Sequence, residues 1–67
     1  MNFFKTETEN PMIGKRVRLI HMEDPEPIPV GTEGTIVGVD PVGYQMEWDN
    51  GRTLSLIPEE DRWEVLG

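Results

Sequence analysis

Cysteine is absent from the 67-residue chain, which excludes disulfides, thiolate metal clusters and a thiol nucleophile. Small domains often lean on such staples, so this one must rely on apolar packing alone. A cytoplasmic location is the one expected of a cysteine-free chain. Histidine and serine occur once each, as His21 and Ser55. Basic residues are few: six Lys and Arg stand against thirteen Asp and Glu, a formal charge of −7. Nucleic-acid affinity comes largely from Lys and Arg displacing counterions, so this balance disfavours generic DNA or RNA binding. No apolar run reaches membrane-spanning length, and residues 1–10, with Lys5, Glu7 and Glu9 among them, lack the apolar stretch of a signal peptide. One small domain with no membrane role is the expectation.

What the chain does carry is β patterning. Tyr44, Met46 and Trp48 alternate with Gln45 and Glu47 and run into Asn50-Gly51, beyond which Leu54 and Leu56 repeat the pattern. Asn-Gly between two such runs predicts a hairpin with a two-residue type I′ turn, in which both central residues take positive φ. Upstream, residues 14–22 read as a first strand, with Val17, Leu19 and His21 on one side and Arg16, Arg18, Ile20 and Met22 on the other. Prolines at positions 25, 27 and 29 exclude helix and central strand, so residues 23–29 form a long, stiff loop.

Gly31-Thr32-Glu33-Gly34 turns the chain into a second strand over residues 35–39, where Gly38 marks a bulge or tight bend. Asp40-Pro41-Val42-Gly43 is a turn with Pro second and Gly fourth. Pro58-Glu59-Glu60-Asp61 predicts a single 3-10 turn before a last strand through Trp63 and Val65. The expected core is Val17, Leu19, Ile36, Val37, Met46, Trp48, Leu54, Leu56, Trp63 and Val65. Residues 1–11 are an arm, either flexible or docked on a partner through Phe3 and Phe4, and residues 12–67 are the domain.

The expected fold class is all-β: five short strands, one long loop and a 3-10 turn before the last strand, as in a small SH3-like barrel. The run Ile13-Gly14-Lys15-Arg16-Val17-Arg18-Leu19, the Gly31-x-x-Gly34-Thr35 turn, the Trp48-Asp49-Asn50-Gly51 hairpin and Leu56-Ile57-Pro58-x-Glu60-Asp61-Arg62-Trp63-Glu64-Val65 carry a resemblance. Together they resemble an uncharacterised family of small SH3-like proteins encoded by phages and mobile elements. The resemblance covers almost everything after Pro11; its ending, Asp61 to Val65, is its most specific part. It implies a fold and a viral or mobile-element context, and no activity.

No constellation supports catalysis or metal binding. His21 has only carboxylates to join it as ligands, and Ser55 lacks a glycine elbow. Glu23-Asp24-Pro25-Glu26 and Glu59-Glu60-Asp61 lack calcium-ligand spacing and read as solvated acidic loops. Gly31-x-x-Gly34 precedes a strand, so no helix N-terminus is there to hold phosphate. What remains is a set of arginines and aromatics, of which Arg16, Arg18 and Arg52 have no sequence-local acidic partner across their strand faces. With Tyr44 and an edge of Trp48, they are the candidate ligand-binding residues.

The expectation is therefore a non-catalytic binding protein without cofactor or metal. Its first form is a homo-oligomer that sequesters a small anionic, nucleotide-type immune signal at subunit junctions. The alternative is an SH3-like protein–protein interaction module with a protein partner, and a nucleotide-cleaving enzyme ranks third.

Overall fold

Val17 and Leu19, set at alternate positions between Arg16, Arg18 and Ile20, give the first strand one dry face and one wet face. In the computed structural model, which describes residues 11–67, that strand is β1 (Arg16–His21). It is followed by β2 (Glu33–Asp40), β3 (Gly43–Trp48) and β4 (Arg62–Leu66). They form one antiparallel sheet in the order β3-β2-β1-β4. Phe3, Phe4 and most of the proposed arm lie outside the described residues.

Two bulges set the shape and account for several departures from simple alternation. In β1 the register against β4 shifts between Leu19 and His21, so Ile20 is an extra residue and the faces exchange beyond it. His21 consequently turns outward to Glu23, and Met22 turns inward, where it is 6% exposed. In β2 the shift lies between Ile36 and Gly38. Ile36 takes the inward position, so plain alternation puts Val37, expected in the core, on the outer face, where it is 42% exposed. Val65 is exposed because β4 is an edge strand, covered on one side only.

The hairpin departs from the type I′ expectation. Among the described residues none other than glycine has positive φ, so Asn50 does not, whereas Gly51 sits at +91°. The Gly51 N–H donates to the Trp48 carbonyl and the Trp48 N–H to that of Arg52, each at 2.9 Å. The loop is thus three residues, Asp49 to Gly51, with glycine in its left-handed last position. The expected fifth strand is reduced to one bridge, Tyr44 to Leu56. Between bridge and hairpin, the Leu54 carbonyl accepts from the Trp48 indole Nε1–H at 2.7 Å. The sheet therefore has four strands, and the 3-10 turn is a hydrogen-bonded turn in which the Glu60 and Asp61 N–H groups both donate to the Ile57 carbonyl.

The core consists of Val17, Leu19, Met22, Ile28, Ile36, Met46, Trp48 and Leu56, with Met12, Tyr44, Leu54 and Trp63 packed at its margin. Ile28 comes from the proline loop, and its N–H donates to the Met22 sulfur at 3.4 Å. A fully buried aliphatic side chain contributes about 1.5–3 kcal/mol, so this loop belongs to the core as much as a strand does. Asp61 is the buried charged residue that holds the assembly shut. Its Oδ1 accepts from the Glu23 N–H at 3.0 Å and its Oδ2 from the Ile57 N–H at 2.8 Å.

Candidate functional site

Arg16 and Arg18 lie on the outer face of β1, directly opposite Thr35 and Glu33 of β2 and Leu66 and Glu64 of β4. Cross-strand neighbours on one face touch, so each guanidinium finds carboxylates that sequence distance had hidden. Arg16 grips Asp49 with both Nη atoms, at 2.8 and 2.6 Å, and also donates to the Thr35 hydroxyl at 3.0 Å. Glu33 stands between the two arginines, 3.5 Å from Arg16 and 3.2 Å from Arg18, and Arg18 also reaches Glu64 at 3.1 Å. The chain Asp49, Arg16, Glu33, Arg18, Glu64 stitches β1, β2, β4 and the hairpin loop after β3 on the wet face. The bond to Arg16 holds the Asp49 carboxyl below the usual range, and Arg16 rises in turn. Arg18 is raised by its bonds to Glu33 and Glu64.

The other candidates sit elsewhere. Arg52 donates to the backbone carbonyls of Glu26 and Pro27, at 2.8 and 3.2 Å, and so ties the proline loop to the hairpin. Trp48 is 3% exposed, so no edge of it is available for stacking. Tyr44 packs edge-on against Trp63, with ring centroids 5.7 Å apart. The five residues do not converge. A phosphate approaching Arg16 or Arg18 has to displace carboxylates from a network that holds three of them and two guanidinium groups.

A concave surface forms instead beside Tyr44. The β2–β3 turn and the turn after Ile57 enclose a groove lined by Pro41, Val42, Tyr44, Ile57 and Pro58, with Asp40, Glu59 and Glu60 around it. Local chemistry builds each wall. Asp40 Oδ1 accepts from the N–H groups of Val42 and Gly43 at 3.0 and 2.9 Å, which closes the first turn. Asp61 closes the second through Ile57. The walls are held together by the Tyr44 to Leu56 bridge, with N–H to carbonyl distances of 2.9 and 3.0 Å. A side chain at Gly43 would run into the Leu56 carbonyl, so glycine is what lets the two strands approach there.

The groove's floor is apolar, and among the described residues its charged lining is acidic, with no Lys or Arg contributing. Both turns are legible in the sequence, but their juxtaposition is not, since the bridge that brings residues 40–44 beside residues 57–60 joins Tyr44 to Leu56 with no local signal. Sequence pattern also takes Asp61 for a solvated carboxylate. Among the described residues, no group of three or more His, Cys, Asp or Glu is placed to hold a metal ion. No helix there is long and apolar enough to cross a membrane.

Comparison with curated proteins and with solved structures finds no match. A family model described as a domain of unknown function, DUF4314, matches residues 7–66. That match runs over nearly the whole sequence, and the chain belongs to the DUF4314 family.

Proposed function

We propose that the chain is a non-catalytic protein-interaction module whose groove beside Tyr44 receives a partner segment carrying Lys or Arg among apolar or proline residues. The observation that carries this reading is an apolar floor whose charged rim, among the described residues, is Asp40, Glu59 and Glu60. Such a surface gains from burying apolar groups while its carboxylates select for cations and repel anions. An SH3-like barrel fits the same reading, because the sheet curls until Tyr44 of one edge strand meets Trp63 of the other. A phage or mobile-element setting, as the sequence resemblance implies, gives such a module host proteins to engage. Capture of a nucleotide has less support, since Arg16, Arg18 and Arg52 are all engaged within the protein.

The test is an amide-resolved NMR titration with two sets of ligands: ten-residue peptides in which basic and apolar content vary independently, and a panel of linear and cyclic nucleotides. Basic, apolar peptides are expected to shift Val42, Tyr44, Ile57 and Glu59, and Glu60→Lys is expected to weaken them with little change in melting temperature. Shifts confined to the arginine face on adding nucleotide would overturn the reading in favour of anion capture.

A further inference from the structure

Among the described residues, the outer edge of β4 is unpaired. Both the N–H and the carbonyl of Leu19 bond on the β2 side, to Thr32 and Gly31, and the Lys15 carbonyl bonds to Ile36. By antiparallel alternation, Arg16 and Arg18 therefore turn their backbone groups toward β4, where their partners are Leu66 and Glu64. The backbone groups of Trp63 and Val65 point the other way. No described residue pairs with that side, and the strand carries neither proline nor a bulge of its own to blunt it.

The side chains of the same strand are self-complementary. The Arg62 guanidinium has no hydrogen-bond or ion-pair partner among the described residues. Glu64, two positions on and on the same face, uses only Oε2, toward Arg18, and its side chain is half exposed. We propose that the β4 edge is a self-recognition surface on which a second copy of this chain adds its own β4, antiparallel, about a two-fold axis at Trp63. In that register Arg62 faces the partner's Glu64, and Glu64 faces the partner's Arg62, so both pairs join opposite charges. Trp63 exchanges its backbone bonds with the partner's Trp63. A two-fold axis at Glu64 would set like charges opposite each other, and one at Val65 would leave Arg62 unmatched, so charge selects the register. The edge adjoins the groove through the Trp63 and Tyr44 contact, but neither proposal depends on the other.

Sedimentation velocity over a wide concentration range, together with amide hydrogen exchange, tests this. The expected result is a mass rising from one chain to two. With it, the Trp63 and Val65 amides gain protection as the dimer fills, while Glu64 and Leu66, bonded to β1, are protected throughout. Arg62→Glu is expected to weaken dimerisation by about tenfold or more, since it turns both attractive pairs repulsive. Val65→Pro is expected to do the same, because it removes an outward N–H and spares the β1 ladder. Near-ultraviolet circular dichroism checks that both variants fold. A mass of one chain at every concentration would overturn the proposal, as would a dimer indifferent to both substitutions. So would concentration-independent protection of Trp63 and Val65, which would assign the edge to another segment of the same chain.

Discussion

Asp61 Oδ1 accepts a hydrogen bond from the Glu23 N–H, 3.0 Å away and 38 positions earlier in the chain. Its second oxygen takes the Ile57 N–H, so one carboxylate joins the start of the proline loop to the turn that forms a groove wall. Hydrogen bonds to a charged acceptor are worth about 1.5–3 kcal/mol each, and removal of the acceptor leaves two donors unpaired. Asp61→Ala is expected to cost about 2–4 kcal/mol in urea unfolding. Glu59→Ala, two positions away and exposed, should stay within about 0.5 kcal/mol of the parent. Equal effects would mean that Asp61 is not the clasp.

The Arg16 to Asp49 pair gives a pH dependence with a definite sign. The Asp49 carboxyl is held below its usual value by the bond to Arg16, so the folded state favours the ionised form more than the unfolded state does. The pair's contribution is present at pH above the ordinary aspartate range and is lost as pH falls through the lowered folded-state value. The gap in melting temperature between parent and Asp49→Asn is therefore expected to narrow on acidification. A carboxyl-carbon NMR titration should place the Asp49 midpoint below that of the exposed aspartates. A gap that widened in acid would contradict the pairing.

Gly43 reports on the groove's construction. An alanine Cβ there meets the Leu56 carbonyl, and backbone has little freedom to yield. Gly43→Ala is expected to destabilise the protein by about 1–3 kcal/mol, the scale of steric overpacking. It should also speed exchange at the Tyr44 and Leu56 amides, the two that form the bridge. Unchanged protection at both would show that the bridge does not set the spacing of the walls.

Sequence pattern carried the fold as far as local physics reaches. Val17, Leu19, Ile36, Met46, Trp48 and Leu56 alternate cleanly and are buried. The pattern failed where something non-local intervened. The bulge at Ile20 moved Met22 into the core, and Asn50 avoided positive φ because the loop closed one residue wider. The candidate site failed for a related reason. Arg16 and Arg18 lack acidic neighbours in sequence, yet Glu33, Asp49 and Glu64 stand beside them across the strands. The groove depends on two turns meeting through Leu56, which no spacing rule encodes.

Arg52 separates a structural arginine from a ligand-binding one. Its two Nη atoms hold the Glu26 and Pro27 carbonyls, next to Ile28, which fills the core from the same loop. The bonds fix a segment already stiffened by prolines at 25, 27 and 29. Arg52→Ala is expected to raise hydrogen exchange across residues 24–30, including Ile28, and to lower the melting temperature. Lysine at this position should restore little of either, because one ammonium lacks the fork that spans both carbonyls. Loop exchange is the discriminating measurement: a contact residue for an external anion could be removed without loosening the loop. If residues 24–30 exchanged as in the parent while a nucleotide lost affinity, Arg52 would be a ligand-binding residue after all.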